Sequence, residues 1–285
     1  MTRKIRLPIV LLGAPRSGTT LLGKLFAAHP DVAYWEEPRP IWTQGNSWRS
    51  DDRLDASHLT EGIAQQIDGV FGRFVLRSGR TRFAEKTPSN LLRIPFIYAL
   101  YPDVRFIHLV RDPRSVVASM RGMLAKSPDA RRVLSRVWET PLGGWPAQIA
   151  LAFRGMVEPL WRGGRKRFWG PRPPGWQSWI GLPEEIRLAK QWNGLVETGV
   201  TELGRLPKET SMVIRYEDLV RDPASSLDLL YDFAGLSREA DTLAKAVALV
   251  RHPANRSIHG GLTVEQASQV TRETAPLLST LGYPA

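Results

Sequence analysis

Along the first 28 residues the hydrophobic pattern changes period once. Ile5 to Leu12 is a short, nearly continuous apolar run closed by Gly13, as expected of a strand buried on both faces. From Thr19 to Ala28 the apolar positions are Leu21, Leu22, Leu25 and Phe26, one face of a helix that His29-Pro30 stops. The same alternation continues down the chain. Val32–Trp35 predicts a second strand, residues 42–56 a polar loop, Leu59–Phe71 a helix, Arg82–Glu85 a third strand and Ser89–Leu100 a helix. Val104–Val110 is β-branched and apolar, between Asp103 and Asp112, and predicts a strand. Pro113 then suits a first helical turn, with Val116, Val117 and Met120 on its apolar face. Ser211–Arg215 predicts a further strand, and Pro223–Phe233 and Arg238–Val250 predict helices. Strands alternating with helices give an α/β fold with a central parallel sheet flanked by helices in three layers.

One stretch breaks the alternation. Between about residues 127 and 182 lie six of the ten Trp, mixed with Gly, Pro and Arg. Linkers are poor in Trp, so we read an insertion within a single domain spanning 1–285. Its residues 138–180 are expected to cover an acceptor site, as aromatic and cationic side chains grip sugars, aromatic rings or lipid headgroups. A satellite core under a long loop is the plain alternative.

Composition narrows the classes. Hydrophobic residues make up 42% and charged residues 24%, which excludes wholesale disorder. The absence of Cys excludes disulfides, thiolate-bound metals and thiol nucleophiles. Five scattered His residues offer no metal-ligand spacing, and no metal is expected. The net charge of +11, with Arg supplying 31 of the 39 basic residues, points to anionic partners: nucleic acid, headgroups, or phosphorylated and sulfated small molecules. A GC-rich genome would inflate Arg equally. The apolar run Leu7–Gly13 is far short of the ~20 residues a membrane span needs and no cleavage site follows it. A cytoplasmic location is the expectation, with peripheral membrane contact left open by the Trp/Arg-rich stretch.

The segment Gly13-Ala-Pro-Arg-Ser-Gly-Thr-Thr20 joins a predicted strand to a predicted helix. Backbone N–H groups in such a loop curl around an anion, and the helix N-terminus adds partial positive charge. Gly18 permits close approach, Ser17, Thr19 and Thr20 bring hydroxyls, and Arg16 brings a cation. The glycine spacing matches the NTPase phosphate loop, but Thr19 stands where that loop has its Lys. That departure argues against an ordinary ATPase or GTPase.

Pro-Arg-Ser-Gly-Thr-Thr resembles the phosphate loop of sulfotransferases that use 3′-phosphoadenosine 5′-phosphosulfate (PAPS). The resemblance implies a P-loop three-layer fold, PAPS as sulfuryl donor and several further residues. Arg111-Asp-Pro-Arg-Ser-Val-Val-Ala-Ser119 is similar to the family's 3′-phosphate signature, so Arg111 and Ser119 would hold that phosphate. Arg215-Tyr-Glu-Asp-Leu219 is similar to the segment whose Tyr, here Tyr216, contacts the nucleotide. The basic, Gly-containing run Arg251–Gly261 stands where the family closes a loop over the 3′-phosphate, and Arg256 and Ser257 are the matching choices. Glu36-Glu-Pro38 resembles the Glu-Pro element that carries the general base, which makes Glu37 the base. Strand alternation would point only one of Glu36 and Glu37 inward. Glu85-Lys-Thr-Pro88 resembles the element whose Lys, here Lys86, reaches the transferring sulfonate, and Arg16 would stabilise the leaving phosphate.

The implied activity is sulfuryl transfer from PAPS to a hydroxyl or amine of a small-molecule, saccharide or lipid acceptor. Two alternatives come from other classes. A P-loop kinase would want the loop Lys and a Mg²⁺ carboxylate. A nucleic-acid-binding protein is suggested by charge alone, and no binding motif supports it.

Overall fold

The computed structural model describes residues 3–125, 168–250 and 261–284. Most of the Trp/Arg-rich stretch lies outside the described residues, as do Arg256 and Ser257.

Five parallel strands form one sheet: β1 (Ile9–Leu12), β2 (Val32–Glu36), β3 (Arg82–Lys86), β4 (Arg105–Val110) and β5 (Ser211–Arg215), in the order β2-β3-β1-β4-β5. All four residues of β1 are buried, as a central strand covered on both faces requires. The register places Val10 between Glu85 and Phe106, and Leu11 between Lys86 and Ile107. The strand ends that carry the sequence-named residues therefore lie side by side.

Helices cover both faces. On one face α1 (Thr19–Ala27) packs with α7 (Tyr216–Arg221), α8 (Pro223–Ala234) and α9 (Ala240–Val247), burying Leu22, Phe26, Leu227 and Tyr231 against Ile9, Leu11, Ile107 and Leu109. On the other lie α3 (Glu61–Ser78), α4 (Ile94–Leu100), α5 (Pro113–Leu124), α6 (Glu184–Leu203) and α10 (Val264–Thr280), around Val10, Leu12, Phe83, Phe106 and Trp192. A short turn, α2 (Arg39–Trp42), follows β2 and buries Trp42 completely. The helices that follow β1 and β4 lie on opposite faces. The crevice between these neighbouring strands is where open α/β sheets bind ligands.

Element boundaries differ from the sequence pattern in instructive places. The first strand begins at Ile9, because Pro8 precedes it and the backbone N–H groups of Lys4 and Ile5 bind the carboxylate of Asp68 instead of a neighbouring strand. The third strand runs on to Lys86. The helix expected over Ser89–Leu100 is split into a 3₁₀ turn, Pro88–Leu92, and α4. Pro95 has no N–H to continue an α ladder back to Leu91. The third helix extends to Ser78, from an N-cap at Thr60 to Gly79 in the left-handed conformation. Residues 42–56 are not wholly loop, since α2 reaches Trp42.

Candidate functional site

The loop after β1 turns through two left-handed residues, Arg16 (φ 69°) and Gly18 (φ 97°). Gly18 is the N-cap of α1 and supplies no side-chain cap, which leaves the first N–H groups of the helix for a ligand at the loop. Glycine is required twice here. A Cβ on Gly13 would sit 2.8 Å from the Leu109 carbonyl oxygen, and one on Gly18 would strike the ring of Tyr216. The Ser17 side chain is fully buried and, among the described residues, its hydroxyl has no hydrogen-bond partner. A buried, unpaired hydroxyl in a cradle of N–H groups fits an anion.

The residues named from the β4 and β5 ends converge on this loop. Arg16 Nε donates to Ser119 Oγ at 3.1 Å, and Arg111 Nη1 donates to the Arg16 carbonyl at 3.2 Å. The Arg111 guanidinium lies 4.3 Å from the centroid of the Tyr216 ring, within cation–π range. One crevice thus holds two guanidinium groups, two Ser hydroxyls and an aromatic face. These are the groups that bind a nucleotide carrying more than one phosphate. Thr19 is buried and Thr20 exposed at the start of α1.

On the other side of β1, Lys86 is 2% exposed at the end of β3, and its Nζ is held by two carboxylates: Glu37 Oε1 at 2.8 Å and Glu36 Oε1 at 3.2 Å. Alternation would have turned one of these away. It does not, because β2 ends at Glu36 and Glu37 leaves the strand in a left-handed turn (φ 54°), with its N–H bound to the Lys86 carbonyl at 2.9 Å. Glu37 is the more enclosed of the pair, at 16% side-chain exposure against 52% for Glu36, and it also pairs with Arg39 at 3.0 Å. Arg16 and Glu37 are two of only three non-glycine residues with positive φ among those described. Such strain gathers at functional sites.

Beneath Lys86 lies a buried polar chain that sequence reasoning missed. Glu85 is fully buried and accepts hydrogen bonds from Thr87 Oγ1 at 2.7 Å and Asn90 Nδ2 at 2.8 Å. Burial pushes its carboxyl up to about 7, against the opposing pull of these donors. Asn90 Oδ1 accepts from Arg93, which is 1% exposed and paired with Asp52 at 3.1 Å. Asp52 in turn accepts from the Arg172 backbone N–H at 2.8 Å, and the Trp176 indole donates to the Ser50 carbonyl. The described end of the Trp/Arg-rich stretch is therefore docked to the residues that follow the Glu-Pro turn. The signal available was a charged residue, Arg93, in an apolar run.

His108 does not join the site. It faces the core beside Gly199 and Leu91, with both ring nitrogens unpartnered, and burial lowers its pKa to about 4. Among the described residues no group of three His, Asp or Glu could hold a metal, and no helix is long and apolar enough to cross a membrane. A separate cleft of about 480 Å³ lies on the outer flank of α6 and includes Trp179, Lys190 and Glu273. Two ion pairs line it, Lys190 with Glu273 at 2.8 Å and Arg53 with Glu202 at 3.4 Å, and none of the residues gathered around the loop does.

The chain is similar over 130 residues, at 32% identity, to protein-tyrosine sulfotransferase 1 of Danio rerio, covering 40% of this chain and 35% of that protein. It is also 30% identical over 133 residues to the nodulation protein NoeE of Sinorhizobium fredii, covering 41% of this chain and 32% of that one. The match thus spans about a third of the length of either relative. In fold, it resembles the sulfotransferase domain from the curacin biosynthetic pathway (TM-score 0.55, 19% identity, 98% of this chain and 99% of that one). It also resembles sulfotransferase STF9 from Mycobacterium avium (TM-score 0.52, 17% identity, 98% and 78%). The model of the Sulfotransferase family matches residues 8–154 and 147–240, a range that takes in the loop, the Glu-Pro turn, Lys86, Arg111 and Tyr216. With that match over most of its length, the chain belongs to the sulfotransferase family.

Proposed function

We propose that the protein is an enzyme that transfers a sulfuryl group from PAPS to a hydroxyl or amine of a small-molecule, saccharide or lipid acceptor. The observation that carries this reading is the convergence of Arg16, Arg111, Ser119 and Tyr216 on one loop, with Lys86 and Glu37 one strand away.

The residues present fit the donor. Ser17, Gly18, Thr19 and Thr20, with the N-terminus of α1, would hold its 5′-phosphate, and Arg111 and Ser119 its 3′-phosphate; Arg256 and Ser257, assigned to the same phosphate, lie outside the described residues. The Tyr216 ring offers a face to the nucleoside. When bound, PAPS supplies an activated sulfonate on a phosphate leaving group.

Glu37 takes the proton of the acceptor as the acceptor oxygen or nitrogen forms its bond to sulfur. With the donor bound, the Arg16 guanidinium would stabilise the negative charge that the leaving phosphate gains as its bond to sulfur breaks. Arg16 holds its proton too tightly to act as an acid, so its role is electrostatic. Lys86 places its ammonium toward the sulfonate. In this structure Lys86 neutralises Glu37 directly. As its ammonium turns to the sulfonate, it frees Glu37 Oε1 to accept a proton, while Arg39 stays on Oε2. We assign acceptor recognition to the Trp/Arg-rich stretch. Support comes from its described end, which is anchored to Ser50 and Asp52 just beyond the Glu-Pro turn. A cytoplasmic site of action, with contact to a membrane surface for a lipid acceptor, accords with this reading.

The test is transfer of label from radiolabelled PAPS to a phenol, a monosaccharide and a hydroxyl-headed lipid in parallel. At least one should accept label. Glu37→Gln should lower the rate by about 10²-fold or more while binding of 3′-phosphoadenosine 5′-phosphate (PAP) stays within twofold. A Glu37→Gln variant with full activity would contradict the assignment.

A further inference from the structure

A carboxylate that the proposed chemistry does not use sits between the two elements that would grip the 3′-phosphate side of the donor. Glu217, the second residue of α7, accepts the Asp112 backbone N–H on Oε1 at 3.2 Å and the Tyr283 hydroxyl on Oε2 at 2.8 Å. The residue before each partner matters. Asp112 follows Arg111, and Glu217 follows Tyr216. The pair 216–217 therefore touches the pair 111–112 twice, once through the Arg111–Tyr216 stack at 4.3 Å and once through Glu217. Asp112 is also the N-cap of α5, the helix that carries Ser119, and its carboxylate is gripped by Arg114 at 2.7 Å.

Tyr283 is 5% exposed and lies far along the chain from this corner. It is strapped there by Arg215, whose guanidinium lies 4.3 Å from its ring and whose Nη1 donates to the Gly282 carbonyl at 3.1 Å. Arg114 donates to the Pro284 carbonyl at 3.1 Å. Burial and the charge of Glu217 raise the pKa of the hydroxyl, which keeps it a donor.

We propose that Glu217 and Tyr283 are positioning residues that hold Arg111 and Ser119 in register with Tyr216, and so set selectivity for a 3′-phosphorylated nucleotide. This rests on the sulfotransferase reading above. The phosphate loop lies on β1 and is not touched by Glu217 or Tyr283, so loss of either should spare a nucleotide without the 3′-phosphate.

The experiment is calorimetric titration of the full chain with PAP and with ADP, for wild type, Tyr283→Phe, Glu217→Ala and Glu217→Gln, together with thermal unfolding of each. Wild type should prefer PAP. Glu217→Ala should weaken PAP by about tenfold and Tyr283→Phe by about three- to fivefold, within the net cost of one lost hydrogen bond. ADP should change less than twofold. Glu217→Gln, which still accepts from Asp112, should recover most of the preference. Tyr283→Phe removes one oxygen and keeps the packed ring, so it carries the test should Glu217→Ala not fold. A selective wild type whose variants lose PAP and ADP in equal measure, or lose neither, overturns the inference. A wild type that binds the two nucleotides equally overturns the sulfotransferase reading and this inference with it.

Discussion

At the scale of single residues the site is two carboxylates and one ammonium within hydrogen-bond reach, beside a loop that only glycine can complete. Glu36 and Glu37 both touch Lys86, yet they differ in enclosure and in backbone. Glu37 is held by its left-handed turn, by Arg39 and by the Lys86 carbonyl, whereas Glu36 is half exposed at the strand end. Glu36→Gln should therefore cost less than about fivefold in transfer rate, as exposed ion pairs contribute little. Glu37→Gln should cost at least twenty times more than that. A side-by-side rate measurement with a phenol acceptor checks the split, and equal losses would contradict it. Gly18→Ala tests the loop. Its φ of 97° and the ring of Tyr216 both reject a Cβ, so PAP binding should fall more than tenfold, by calorimetry, with the fold retained. The glycines were legible in the sequence because their spacing marks a phosphate loop, and the Glu-Pro turn was legible through the family resemblance. The left-handed φ of Glu37, which lets both carboxylates reach Lys86, was not, since alternation describes a strand only as far as the strand continues.

At the scale of elements, the strands were legible and the helices beyond the sheet less so. The central strands β1 and β4 read as compact apolar runs, because a strand covered on both faces has no polar side to blur the pattern. The long helix α6 went unread. Its start is marked by Pro183 with Glu184 and Glu185 in the first turn, but it follows the Trp/Arg-rich stretch, whose composition masks the change of period. The helix α10 was likewise unread, although Thr263 and Gln266 form a reciprocal cap. Two buried titratable groups on β3 and β4 follow from this packing, and they act in opposite directions. The Glu85 carboxyl rises to about 7, so its contribution to stability is full below the unfolded value of 4.5 and is lost as pH climbs through 7. The His108 pKa falls to about 4, so its contribution is full above 6.5 and is lost as pH drops toward 4. Between pH 4.5 and 6.5 the two slopes offset. Glu85→Gln should unmask stability that rises with pH across that window. His108→Leu should unmask stability that falls, by about 3 kcal/mol between pH 4.5 and 7 for a shift of this size. Urea unfolding at pH 5 and pH 8 separates them, and parallel pH profiles for both variants would refute the assignment.

At the scale of the whole molecule, five strand ends bring residues from positions 16 to 217 to one edge of a sheet. The order of the strands does this: β1 carries the loop, β3 on one side brings Lys86 and β4 on the other brings Arg111. Sequence order alone cannot reveal which motifs become neighbours. The family resemblance supplied that, and the register agrees with it. The buried chain from Glu85 through Arg93 and Asp52 to Arg172 was illegible in advance, since its members span 120 residues of sequence and only Glu85 lies in a motif. The most direct test of the account is calorimetric titration of wild type and Arg111→Ala with PAP, with ADP as control. The account predicts tight binding of PAP by wild type, much weaker binding of ADP, and loss of that preference in Arg111→Ala. Equal binding of the two nucleotides by wild type, or a preference for PAP that survives removal of Arg111, would contradict it.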